Sequence, residues 1–444
     1  MVSAAEQLAS GLNFSTFAKA KDLKQRILFT LGILLIYRLG TYIPLPGINT
    51  DALAQLFQQN QSGIIGMFDM FAGGAVGRMA IFALNIMPYI SAAIIMQLMV
   101  AVSPHLEQLK KEGARGAKQI NQYTRYGTVF LATLQAYGIS VGLEGAGNIV
   151  ENPGLYFKLS AVITLVGGVM FLMWIGEQVT ARGIGNGISL IIFSGIVAEL
   201  PSAIINTLEL GRQGAISTWL ILTIFILAIA VIAFIVFMER AQRRLLVQYP
   251  KRQQGNKMVG GDSSHLPLKL NTAGVIPPIF ASSLLLLPMT VANFSTGQGP
   301  DWLGTVTALL GRGQPLYLSL YIGGIVFFAF FYTAIVFNPT DTADNLKKQG
   351  GFIPGIRPGD KTAEYIDYVL TRVTCVGALY LAAVCILPEI LMSYAAVPFY
   401  FGGTSLLIIV SVTIDLISQV QSHLLAHQYE GLIKKSRLGG KRTR

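Results

Sequence analysis

Residues Ser217 to Met238 read STWLILTIFILAIAVIAFIVFM, an apolar run in which no side chain carries a charge. A helix rises about 1.5 Å per residue, so about twenty such residues cover the roughly 30 Å hydrocarbon core of a bilayer. Water is absent there, and a helix satisfies its backbone hydrogen bonds within its own segment. The run is therefore expected to cross a membrane as a helix.

Working outward, similar runs lie at residues 26–43, 76–101, 126–143, 156–176, 184–206, 272–293, 316–337, 372–392 and 399–420. They are too long and too uniformly apolar for the alternating strands of an outer-membrane barrel. Composition agrees: 52% of the 444 residues are hydrophobic and 12% are charged, against about a quarter charged in a soluble chain. Mean hydropathy is +0.56. The expected fold is an all-α integral membrane protein of ten transmembrane helices.

Ten spans put both termini on one side. With this layout 28 of the 33 Lys and Arg fall in the N-terminal segment, alternate loops and the tail. Arg38, Arg78, Lys158, Arg212 and Arg312 fall on the opposite side. Cytoplasmic loops carry the excess of Lys and Arg, so both termini are expected in the cytoplasm. Lys19, Lys21, Lys24 and Arg26 precede the first run as in a signal peptide, but the run reaches Tyr42 without a small-residue cleavage site. An uncleaved first span is expected. Cys375 and Cys385 lie ten residues apart on one run, too far along a helix to be bridged. No disulfide or redox role is expected.

Three segments interrupt the plain bundle. Gly63 to Gly77, GIIGMFDMFAGGAVG, is apolar but short and glycine-broken, which suits a half-helix folded back into the protein. The loop at residues 239–270 carries seven Lys and Arg, and its RRLLVQYPKRQQG suits a hairpin. The loop at residues 338–372 contains GGFIPGIRPGD, whose alternating Gly and Pro predict a turn-rich tip. Halves of five spans each would insert in opposite orientations, which permits inverted pseudo-symmetry, although the halves show no internal similarity.

Chemistry that needs charge at membrane depth is scarce. Asp415, Glu199, Glu389 and Arg38 lie toward span ends and read as helix-end or interface residues. His105, His265, His423 and His427 fall in loops or tail without an HExxH pattern, so no metal site is expected. There is no GxxxxGK[ST] stretch, and GIGNG at Gly183 to Gly187 opens a span instead of joining a strand to a helix; it reads as a tight turn. No catalytic residue, cofactor or enzymatic activity is expected, and energy must come from a partner or a gradient.

Several stretches resemble the SecY family in order along the chain, from about Leu23 to Tyr429. They are TYIPLPGI, IFALNIMPYISA, LKKEG with INQYTRYGT, FLMWIGEQVTARGIGNGIS, YPKRQQG, HLPLKLNTAGVIPPIFASS, FFYTAIVFNPTDTADNLKKQGGFIPGIRPG and VPFYFGGTSLLIIV. Departures are small: Asn85 beside the IMPYI motif, and Pro278 after Pro277.

The resemblance implies two five-helix halves, residues 26–210 and 211–420, around a central hourglass pore, between a cytoplasmic segment 1–25 and a basic tail 421–444. It implies a pore ring of Ile86, Ile90, Ile188, Ile192, Ile279 and Ile408, and a plug at residues 63–74 with Ile64, Ile65, Met67, Phe68, Met70 and Phe71. Spans 2 and 3 would face spans 7 and 8 across a lateral gate to lipid. It implies docking of the motor ATPase SecA and of the ribosome at Arg243, Arg244, Lys251, Arg252 and Arg357, with SecE and SecG as small membrane partners.

From spacing alone, Ile86 with Ile90 and Ile188 with Ile192 are i, i+4 pairs on single helix faces. Such isoleucines equally suit lipid contact or core. Likewise the basic clusters equally suit topology or anionic lipid, but a lone Arg357 between Gly355 and Pro358 sits on a stiff turn. The expected function is a bacterial inner-membrane channel passing unfolded secretory precursors and their signal sequences, with apolar segments released into lipid. The alternative is a secondary transporter for a small solute. A transporter should carry a polar constellation on a broken helix, where this chain has Asp69 among apolar residues.

Overall fold

The computed structural model describes residues 21–53, 55, 69, 72–145, 149–214, 217–250, 252–254, 257–259, 263–294, 314–395 and 403–439. The helices among these residues include α1 Lys21–Gly40, α2 Met87–Val102, α3 Pro104–Lys111, α4 Ala114–Gly145, α5 Leu155–Arg182, α6 Gly187–Arg212, α7 Thr218–Arg240, α8 Ile276–Phe294, α9 Pro315–Val336, α10 Pro339–Gln349, α11 Asp360–Ala395 and α12 Gly403–Gly439. Strands β1 Gln242–Gln248, β2 Arg252–Gln254, β3 Lys257–Val259 and β4 Ser263–Lys269 lie between α7 and α8.

Each of the ten expected spans overlaps a helix. Six helical segments are long and apolar enough to cross a membrane: those of α5, α6, α7, α9 with α10, α11 and α12. The pair α2 and α3, bent by 98° at Ser103, makes a seventh if taken as one span. The chain divides into two compact units, one of residues 1–202, 290–299 and 412–444, the other of residues 203–289 and 300–411.

In the first unit α1 buries Leu23, Thr30, Ile33, Tyr37 and Gly40 and exposes Leu28, Leu31, Leu35 and Leu39. The three- and four-residue steps put the buried set on one face, while the outer face stays apolar, as lipid requires. Helix α4 buries Thr124, Thr128, Ala132, Ala136 and Ser140, a stripe of small residues that lets helices approach closely. Ala132 and Ala136 belong to a core with Leu143 of α4 and Phe157, Ala161, Leu165 and Val169 of α5. An aromatic ladder of Tyr37, Phe82, Phe171 and Trp174 links α1 to α5, with ring centroids 6.1, 6.0 and 6.0 Å apart.

The second expected span differs from the structure. Residues 76–86 form turns, and helix begins at Met87, with Pro88 in its first turn. Met79 at φ 41° and Asn85 at φ 48° are left-handed, a conformation that no continuous right-handed helix contains. The segment pairs instead with the chain leaving α1, through Leu45 N–H to Met79 O at 3.0 Å and Ile81 N–H to Ile43 O at 3.0 Å.

In the second unit the loop at residues 239–270 does carry a hairpin, but RRLLVQ pairs with β4 beyond the expected RRLLVQYPKRQQG stretch, antiparallel from Gln242↔Lys269 to Gln248↔Ser263. Helix α10 starts at Asn338, whose side chain accepts from Thr340 N–H at 3.1 Å, with Pro339 in the first turn where no N–H is needed. It stops at left-handed Gly350, after which Gly351 N–H reaches back to Leu346 O at 2.9 Å, a Schellman closure.

Candidate functional site

Ile86 is the N-cap of α2, and its carbonyl accepts from Ile90 N–H at 3.1 Å. Ile188 and Ile192 occupy the first two turns of α6. In the other unit Ile279 lies in the first turns of α8 and Ile408 in those of α12. Exposure separates these side chains from lipid-facing ones. Ile86, Ile90, Ile192 and Ile408 are 1, 6, 5 and 2% exposed, against 71% for Ile163 and 59% for Ile226. Ile188 and Ile279 are half-buried. A lipid-facing role is thus excluded for four of the six, which sit in the protein interior.

The residues expected as plug, Ile64, Ile65, Met67, Phe68, Met70 and Phe71, lie outside the described residues. The segment that follows them is held by a polar cluster. Asp69 accepts Gly77 N–H at 2.7 Å on its carboxylate and Gly74 N–H at 2.9 Å on its carbonyl. The Gly73 carbonyl accepts from two guanidiniums, Arg38 at 2.6 Å and Arg78 at 2.9 Å. Arg38 pairs with Glu199 of α6 at 3.9 Å, and both arginines lie over the Tyr42 ring. Gly73, at φ 64°, lies so close to α6 that an added Cβ would be 2.9 Å from Gly195 Cα.

Sequence reasoning read Arg38 and Glu199 as helix-end residues and missed this cluster. Its signal was the pair Arg38 and Arg78, two of the five cations that the expected layout puts opposite the basic loops.

Three of the docking candidates, Arg243, Arg244 and Arg357, stand on one platform in the second unit. Arg243 and Arg244 are exposed on β1, while Leu245 and Val247 turn inward. Those two join Leu268, Leu346, Ile353 and Ile366 in a small core that seats the hairpin on α10, α11 and the turn between them. Gln248 and Phe352 bond backbone to backbone at 2.9 and 3.0 Å. The tip is a type II turn: Ile353 O accepts from Ile356 N–H at 3.1 Å across Pro354 and Gly355, the latter at φ 81°, as Pro then Gly favours. Exposed Arg357 follows directly. Arg252 is on β2; Lys251 lies outside the described residues. Among the described residues Arg243, Arg244 and Arg357 form no ion pair. The described residues hold no group of His, Cys, Asp and Glu arranged to bind a metal.

A family model described as SecY matches residues 80–417. The chain belongs to the SecY family. A SecY relative, "Protein translocase subunit SecY" of Pseudomonas aeruginosa, is 58% identical over 421 residues, covering 94% of this chain and 95% of the relative. The SecY fold is also met in a solved structure described as "The structure of a protein conducting channel", at TM-score 0.65 and 19% identity over 90% of this chain and 92% of that one. Sec61 in the canine ribosome-channel complex from the endoplasmic reticulum matches at TM-score 0.64 and 17% identity, over the same shares. At such identities the two structures speak for fold alone. As a SecY-family member the chain is a multi-pass membrane protein, with the helices of that fold and the β1/β4 hairpin set among them.

Proposed function

We infer that this chain is the channel subunit of a bacterial protein translocase, passing unfolded secretory polypeptides across the inner membrane and releasing apolar segments sideways into lipid. The observation that carries the reading is 58% identity, over nearly the whole of both chains, to a protein translocase subunit. Interior isoleucines on α2, α6 and α12 fit it, because a collar of branched aliphatic side chains offers water and ions no hydrogen bonds. It also yields to a polypeptide of any sequence. No observation favours the small-solute transporter.

In this reading Ile86, Ile90, Ile188, Ile192, Ile279 and Ile408 line the constriction and residues 63–74 plug it from the side opposite the basic loops. The halves 26–210 and 211–420 are inverted repeats, both termini are cytoplasmic, and SecE and SecG complete the complex. Arg243, Arg244, Lys251, Arg252 and Arg357 receive the ribosome and SecA. Their charge suits ribosomal RNA phosphates through counterion release, and the guanidinium fork suits carboxylates on a motor protein.

The test is reconstitution of the chain with SecE and SecG in vesicles, supplied with SecA, ATP and a secretory precursor. Protease-protected precursor is expected only when all are present. A chain that assembles but protects no precursor contradicts the assignment.

A further inference from the structure

The GIGNG turn between α5 and α6 is built from hydrogen bonds that reach it from three helices. Ile184 N–H donates to Thr30 Oγ1 of α1 at 3.1 Å, Gly185 N–H to Gln419 Oε1 of α12 at 2.7 Å, and Gly187 N–H to Thr180 Oγ1 of α5 at 2.9 Å. Asn186 caps α6 by accepting from Ile188 N–H at 3.1 Å. Both hydroxyls are aimed. Thr30 donates to Arg26 O and Thr180 to Gly176 O, each at 2.9 Å, which leaves their lone pairs to the turn. Backbone N–H groups left without a partner at a helix start donate to such oxygens.

The turn's glycines fix its place as firmly. A methyl on Gly187 would overlap the Gly176 carbonyl oxygen, so α5 and α6 touch backbone to backbone there. A Cβ on Gly176 would meet Ile188 Cγ1 at 3.3 Å. Gly185 is left-handed at φ 88°, a conformation that a Cβ disfavours and glycine adopts freely. Beneath the turn Leu23, Ile184 and Leu424 close a small apolar core.

These bonds are more than a turn needs. Ile188 follows Gly187 immediately and Ile192 lies one turn on, so the height of α6 at this turn sets where both side chains stand. Gln419 lies on the helix that carries Ile408. We propose that Thr30, Thr180 and Gln419 are positioning residues that hold α6 and α12 in register at the GIGNG turn, and thereby set how tightly the resting isoleucine collar closes and how stringently it selects signal sequences. The proposal rests on the channel reading above.

The experiment uses the complete complex in planar bilayers and in vesicles, with Gln419→Leu and Thr30→Val. Resting ion conductance should rise several-fold, and a precursor with a defective signal sequence should be accepted several-fold better, at near-normal membrane yield. Thr30→Ser, which keeps the hydroxyl, should restore both. If Gln419→Leu does not accumulate, Gln419→Asn, whose amide retracts by one methylene, must show the same direction of change. Normal conductance and normal signal stringency in an accumulating variant overturn the proposal. An Ile192→Asn complex run in parallel separates the two levels: if it leaks while the turn variants do not, the positioning role alone fails, and if it too stays tight, the collar reading fails.

Discussion

Gln248 at the end of β1 and Phe352 after α10 exchange backbone hydrogen bonds in both directions, at 2.9 and 3.0 Å, so two loops far apart in sequence form a single platform. Arg243 and Arg244 stand on one part of it and Arg357 on the other. Because Arg357 is exposed and makes no ion pair among the described residues, reversing its charge should spare the fold and strike the partner. In Arg357→Glu vesicles, SecA-driven precursor transport is expected to fall at least tenfold while the amount of inserted protein stays near normal. Unchanged transport would remove Arg357 from the docking surface.

Gly355 supplies the left-handed corner of the same tip at φ 81°. Gly355→Ala keeps every charge but strains the turn by about 1–2 kcal/mol, displacing Arg357. A partial loss of SecA-driven transport, between wild type and Arg357→Glu, is expected, with no change in membrane yield. Transport equal to wild type would show that docking tolerates a displaced tip.

Two adjacent glycines of α5 should part sharply. A Cβ on Gly168 would run into the carbonyl oxygen of Ile81, whereas one on Gly167 meets nothing within 4 Å. Gly168→Ala is expected to destabilise by about 1–3 kcal/mol through overpacking. Gly167→Ala should be neutral, or stabilising by up to about 1 kcal/mol, from the helical preference of Ala. Thermal unfolding of the purified complex in detergent reads both, and equal effects would mean that Gly168 does not seat the 80–86 segment on α5.

The polar cluster predicts an ordering within itself. Arg78 donates to Thr41 O at 3.2 Å and to Gly73 O at 2.9 Å while lying 4.2 Å from the Tyr42 ring centroid. Lysine cannot do all three, since its ammonium is a compact point charge. Glu199 reaches Arg38 only at 3.9 Å, in a pair that keeps about a quarter of each side chain exposed, a geometry worth about 1 kcal/mol or less. Arg78→Lys should therefore lower the unfolding temperature of the complex more than Glu199→Gln does. The reverse order would make the ion pair, not the carbonyl cradle, the main anchor.

These anchors mark where sequence reading stopped. The long apolar helices were readable because lipid forces them. The hairpin and the Pro-Gly tip were readable because strand alternation and turn chemistry are local. Residues 76–86 continue an apolar run, and they are turned by bonds to Ile43 and Leu45, by the Asp69 bond to Gly77 and by the close fit of Ile81 against Gly168; no local pattern carries that. Arg38 and Glu199 read as separate helix-end charges because their proximity exists only once α1 and α6 pack. The three side chains at the GIGNG turn come from α1, α5 and α12, and Thr30 and Gln419 lie in otherwise ordinary helical sequence. For the isoleucine ring, spacing left lipid, core and pore open, and burial removed lipid for four of the six.

The central claim, an aliphatic collar that closes the channel at rest, is tested most directly by the conductance of the complex carrying Ile90→Asn and Ile192→Asn together. Both side chains are interior, at 6 and 5% exposed, so the two carboxamides would bring hydrogen-bonding groups to the constriction and let water bridge it. In planar bilayers the double variant is expected to leak ions at rest, at near-normal membrane yield. If the two residues lay in sealed core, each unpaired amide would cost about 2–7 kcal/mol, and yield would collapse without leak. Normal yield with a tight resting channel would contradict the collar outright.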